Sequence, residues 1–140
     1  MKKNRFNLEL KIIPHKEQIF STGGYWTDDP KTNVNEIWVS RMADWRYIVC
    51  VLFHELIEWA WCRSRGVTQK ACDDFDAYYE ELYKTGKVSL DKDAGSDRKC
   101  PYFWGHWWGN RFERIVAWIL KVNWKEYCDA YDNLYEKGEK

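Results

Sequence analysis

The chain carries no net charge, no Cys-x-x-Cys pair and no apolar run long enough to cross a bilayer. Each absence removes a class of function. Twenty-two basic side chains offset 22 acidic ones, so no global field recommends nucleic acid or an anionic membrane as a partner. Five cysteines, an odd number without a Cys-x-x-Cys pair, argue against a zinc ribbon and a disulfide framework. Cys50 and Cys62 fall in one expected helix, roughly 18 Å apart at about 1.5 Å per residue, too far for a disulfide. The thiols therefore read as reduced and mostly buried, in a cytoplasmic protein. The most apolar stretch, 47–62, has sixteen residues and three ionisable groups, too short and too polar for a transmembrane helix. Asn7, Glu9, Lys11 and His15 interrupt any apolar core of a secretory signal. There is no internal repeat, linker or low-complexity tract.

What is present is aromatic. Phe, Trp and Tyr make up 18% of the 140 residues, and ten are Trp. The length fits one domain, 1–140, and a chain of this size buries enough surface for an unaided core.

The pattern predicts an α+β fold, a small, mostly antiparallel N-terminal sheet followed by about four helices. Leu8, Leu10 and Ile12 alternate with Glu9 and Lys11, the mark of a half-buried strand over 7–13. Gly23-Gly24 is a turn, Tyr25–Thr27 a short strand, 28–33 turn chemistry, and Glu36–Ser40 a third strand. Asp44 caps a helix over 45–65 that stops at Gly66. Thr68 caps a second over 69–85, ended by Gly86. Residues 87–101 form a long polar loop, a lid or a disordered segment. A third helix runs from Tyr102 or Phe103 to Leu120, Asn123 caps a fourth over 124–135, and the tail 136–140 frays.

One constellation carries chemistry. Residues 47–53 and 59–62 are wholly apolar or aromatic, as in a helix buried all round. Between them stand His54, Glu55 and Glu58, with no Lys or Arg anywhere from 47 to 62. Buried carboxylates need a cation or a metal, and none is supplied locally. His54 and Glu58, at i and i+4, share a helical face and can converge on one ion. Glu55 is rotated from His54 by about 100°, where it can reach water at the metal. This is the geometry of His-Glu-x-x-His with Glu58 in place of the second histidine, and carboxylate oxygen is an acceptable zinc ligand. The third helix adds His106 and Glu113, two turns apart on one face. Arg111 and Arg114 lie beside Glu113, so a salt-bridged Glu113 is the alternative to a ligating one. Asp73, Asp74 and Asp76 open the second helix, where acids favour the dipole; Asp76 is a further candidate ligand. His15, after Pro14, reads as a surface residue. Trp45, Trp59, Trp61, Trp104, Trp107, Trp108 and Trp118 sit at helical spacings that suit a core, while Trp26 and Trp38 can line a groove for a peptide or sugar.

A sheet ending in the strand Glu36–Ser40, followed by a helix bearing His54-Glu55-x-x-Glu58, resembles a minimal zincin, the metallopeptidase fold. The chain is also similar to small phage and bacterial proteins whose HELxE helix precedes an acidic helix, a Tyr-x-x-x-His…Glu helix and a Val-x-Trp-x-x-Tyr ending. Here these are Tyr102 to His106, Glu113, and Val122-Asn-Trp124-Lys-Glu-Tyr127. The zincin resemblance implies an edge strand that pairs with substrate, His54 and Glu58 as zinc ligands and Glu55 as general base. It does not assign the third ligand, for which His106 is the choice on spacing. The expected function is a zinc-dependent hydrolase of the peptidase kind, acting on a peptide or protein and using Zn2+ or another divalent metal. The alternatives are a metal-binding or protein-interaction module without turnover, and an aromatic-lined binding domain without metal.

Overall fold

The computed structural model describes residues 5–136. The start of the chain read for a signal lies partly outside them, as does the tail expected to fray, except Glu136, which closes the last helix. The architecture is α+β. Strands β1 (Asn7–Ile13), β2 (Gly24–Asp29) and β3 (Val34–Ser40) form one sheet, and helices α1 (Trp45–Ser64), α2 (Gln69–Lys84), α3 (Phe103–Ile119) and α4 (Trp124–Glu136) follow. No helix among the described residues is long and apolar enough to cross a membrane.

The sheet is mixed, which corrects the antiparallel expectation. Its order is β1-β3-β2; β2 pairs antiparallel with β3 across the turn at 30–33, and β1 pairs parallel with β3. The chain reverses twice between β1 and β3, and β1 takes the far side of β3, so the two run the same way. β3 is therefore central and its main chain is engaged on both sides. The strand 36–40 cannot be the free edge that the zincin resemblance implies.

Burial follows from this order. Asn35, Ile37 and Val39 alternate on the face of β3 that packs toward α1, and all three are fully buried. Trp26 of β2 joins them in the core instead of lining a groove. Trp38, on the opposite face, is half-buried and donates to Glu36 Oε2 at 2.7 Å. β1 is an edge strand beyond the cover of α1. Leu8 and Leu10 are exposed, and only Ile12 packs against the core.

The helix signals hold to within a residue or two. Asp44 and Thr68 cap α1 and α2 by accepting from Arg46 N and Ala71 N, and Asn123 Oδ1 accepts from Glu126 N at 3.0 Å. Gly66 and Gly86 end α1 and α2 with φ of 70° and 69°, left-handed positions that favour glycine. The five cysteines are free thiols, four of them buried.

α1 and α3 pack antiparallel and very close. A Cβ on Gly109 would lie 2.9 Å from the His54 carbonyl oxygen, and one on Gly105 would lie 3.3 Å from that of Glu58. The tryptophans divide accordingly. Trp59 is buried and Trp61 and Trp107 are half-buried. Trp45, Trp104, Trp108 and Trp118 are exposed, contrary to the core expectation. Helical spacing puts side chains in a stripe, but here the core takes the opposite face of α3, the one bearing Gly105, His106 and Gly109.

Gly109→Ala should lower stability by about 1–3 kcal/mol, the usual cost of forcing atoms into a packed contact. Denaturant titration monitored by circular dichroism checks this; an unchanged midpoint would show that the helices are not so closely apposed.

Candidate metal centre

The close approach of α1 and α3 brings their ionisable residues together. His54, Glu55 and Glu58 of α1 and His106 of α3 are all buried. His54 Nε2 lies 3.1 Å from His106 Nδ1 and 3.3 Å from Glu58 Oε2, and His106 Nδ1 is 3.3 Å from the same Glu58 oxygen. These three atoms form a nearly regular triangle. Ligand atoms on a tetrahedral ion with bonds of about 2.0–2.1 Å stand about 3.3–3.4 Å apart.

Each corner of the triangle is held from behind. His54 Nδ1 meets Glu113 Oε1 at 2.8 Å, and the Tyr127 hydroxyl donates to Glu113 Oε2 at 2.6 Å. His106 Nε2 lies 2.5 Å from Asp93 Oδ2, an ion pair that lacks the alignment of a hydrogen bond. Glu58 Oε1 accepts from Trp26 Nε1 at 3.2 Å. With its Nδ1–H given to Glu113, His54 presents a lone pair at Nε2; with its Nε2–H facing Asp93, His106 presents one at Nδ1. Glu58 Oε2 adds another acceptor. Three acceptors that converge this closely repel unless a proton or a cation stands among them. His54, Glu58 and His106 form a group able to hold a metal ion, and carboxylates behind ligating imidazoles are the usual support of such ligands.

The surrounding carboxylates also favour protons on both imidazoles, which a metal ion would displace. Burial opposes a charge on His54, yet hydrogen bonds to Glu113 and Glu58 hold its pKa well above the ordinary imidazole value. Burial likewise opposes His106, but Asp93 and Glu58 lift it to about 9. Burial works against the Glu58 carboxylate, and the two histidines outweigh it, bringing the pKa down to about 2. Glu55 goes the other way, to about 8, through burial and the neighbouring charge of Glu58. The site attracts positive charge, and no Lys or Arg is among the groups that shift these four residues most.

The other candidates are distributed around the triangle. Glu113, expected as a ligand, is turned to the far nitrogen of His54. Neither arginine takes it, because Arg111 stacks over Trp107 and Arg114 over Trp124, at 4.4 and 4.5 Å from the ring centres. Glu55 lies against β2, where a Cβ on Gly24 would come within 2.7 Å of its Oε1. Asp76 accepts from the Tyr102 hydroxyl at 2.5 Å, and burial raises its pKa to about 7. Asp73 accepts from the Tyr25 hydroxyl and exposed Asp74 pairs with Lys70, so the acidic run has three separate roles. His15 is buried rather than exposed, its Nδ1 2.9 Å from Ser40 Oγ. Pro14 starts a 3-10 turn, His15–Glu17, that tucks this ring beneath the end of β3.

Asp93 carries no site signal in the sequence, Trp26 is expected there only as a groove residue, and Tyr127 only as part of the Val-x-Trp-x-x-Tyr ending. The loop 87–101, expected as a lid or a disordered segment, forms a wall of the site. Asp93 caps a 3-10 turn, Ala94–Ser96, and Gly95 is pressed on the His106 ring, where a Cβ would lie 2.5 Å from Cγ. The sequence signal was the Asp93-Ala-Gly95 turn; nothing in it pointed to His106. No protein-family profile, curated protein or solved structure matches this chain, so the site is read from its geometry.

If the group holds a metal, Glu113→Gln should weaken binding of added zinc about 10- to 100-fold, the usual effect of removing the carboxylate behind a ligating histidine. Competition against a chelating dye measures this. Wild-type affinity in the variant would show that Glu113 does not orient His54.

Proposed function

We propose that this protein is a zinc-dependent hydrolase of the peptidase kind, with His54, Glu58 and His106 as the metal ligands and Glu55 as the general base. The observation that carries the reading is the donor set. Two imidazoles and one carboxylate make three protein ligands, as in catalytic zinc sites that keep a position open, whereas structural sites close with four. Glu55 makes no hydrogen bond among the described residues and lies close enough to feel the charges of Glu58, His54 and His106.

When bound, zinc supplies Lewis acidity that makes water a nucleophile near neutral pH and polarises a carbonyl. Glu55 takes the proton of the attacking water on its carboxylate and delivers it to the leaving group. A nearby cation favours the ionised form of Glu55 and opposes the rise that burial and Glu58 impose. Glu113 and Asp93 keep the imidazoles aimed inward, and Trp26 fixes the carboxylate of Glu58. The zincin-like part of the proposal rests on His54-Glu55-x-x-Glu58 in a helix that follows the sheet.

A second reading is a metal-binding module without turnover. It is favoured by the covering of the strands. β3 is central, and α2 meets the outer side of β2, where Gln69 Oε1 accepts from Asp28 N at 2.7 Å and Asp73 accepts from the Tyr25 hydroxyl. Neither β3 nor β2 offers the free edge on which zincins hold a peptide, and the edge strand β1 lies beyond the cover of α1.

Metal analysis of purified protein supplied with zinc should find bound zinc in wild type and in Glu55→Gln, and little in His54→Ala, Glu58→Ala or His106→Ala. Cleavage of unfolded casein should fall about 10²- to 10⁴-fold in Glu55→Gln, the range of general-base contributions. Zinc bound without any cleavage would support the second reading; wild type without zinc would contradict both.

A further inference from the structure

The outer face of α3 is mostly apolar, with exposed Arg111 the charged residue within it. Trp104, Trp108, Phe112, Ile115, Trp118 and Ile119 are all exposed, Trp118 to 82%. Their spacing puts them in one stripe, about 25 Å long for 17 residues. The surface they offer is on the order of 700 Å², given the size of such side chains, more than the largest apolar patch of a typical monomer. α1 extends it. Arg46 of α1 donates to the Leu120 and Lys121 carbonyls at the end of α3, which brings exposed Trp45 to that end.

Along α3 and its two flanks in sequence, the exposed charges have one sign, while Asp44 at the far end is paired with Arg46. From 98 to 121 there are five cations, Arg98, Lys99, Arg111, Arg114 and Lys121, against one acid, Glu113. Glu113 is turned inward to His54 and Tyr127, and the five cations are exposed. Zero net charge over the chain thus conceals a basic and aromatic strip. Arg98 and Arg111 stack on Phe103 and Trp107, so their stems lie along the apolar surface with the charges outward.

We propose that this face of α3 docks on the surface of an anionic phospholipid bilayer. Indole rings favour the headgroup level of a membrane. A helix with large apolar side chains and flanking Lys or Arg lies in that plane, and anionic lipid attracts each such cation. A second copy of the chain fits the face less well. A two-fold contact sets the same patch against itself, and the α3 part of this patch brings cations together without an exposed acid of its own to meet them.

Sedimentation with vesicles tests the proposal. The protein should pellet with phosphatidylcholine vesicles that contain phosphatidylserine, remain in solution with phosphatidylcholine alone, and be released by salt. Trp118→Ser, at an exposed position that leaves folding intact by circular dichroism, should weaken partitioning about tenfold or more. Arg111→Gln with Arg114→Gln should weaken it on the order of 30-fold. Binding to neither vesicle, or equally to both, overturns the proposal. A stable dimer in light scattering that Trp118→Ser turns into monomer also overturns it and assigns the face to a second copy.

Discussion

Two imidazoles and the Glu58 carboxylate are buried between α1 and α3, with the Glu55 carboxylate buried against β2, and much of the structure answers to that. No Lys or Arg lies within the central stretch of α1, and desolvation of a charge there is costly unless it is paired. The histidines are what make Glu58 tolerable, and they in turn are balanced by Glu113 and Asp93. Removing one member leaves a charge or a lone pair facing another of its kind. A divalent ion satisfies all three converging acceptors at once, whereas a proton satisfies two.

The supports come from every part of the chain, which ties the fold to the site. β2 contributes Trp26 to Glu58, α4 contributes Tyr127 to Glu113, and the loop before α3 contributes Asp93 to His106. Gly109 sets the separation of the two main helices, and Gly95 lets the loop lie on the His106 ring. The three residues able to hold an ion come from two helices only, yet their orientation depends on a strand, a loop and a fourth helix. An ion bound here adds stability to the whole arrangement, because the unfolded chain has no preformed site.

Some of this could be read in the sequence and some could not, for physical reasons. His54, Glu55 and Glu58 stood out because polar residues interrupt an apolar helix, and i, i+4 spacing fixes a shared face. The caps at Asp44, Thr68 and Asn123 were local signals and therefore legible. The direction of β1 was not, since it depends on which side of β3 the chain returns to. His106 was identified by spacing, but the division of labour between His106 and Glu113 depends on how α3 rotates against α1. Asp93 stood in a loop that looked solvated, and its partner lies thirteen residues on. The exposed tryptophans were misread because a helical stripe looks the same whether it faces a core or its surroundings.

Cobalt(II) substitution tests the central claim most directly, because its visible spectrum reports coordination number and ligand type. Wild type should develop the intense visible bands of a four-coordinate ion with nitrogen and oxygen ligands, without the near-ultraviolet bands of thiolate. These bands should disappear in His54→Ala and in His106→Ala. A pale spectrum like that of the ion in water, unchanged by either substitution, would contradict the metal centre described here.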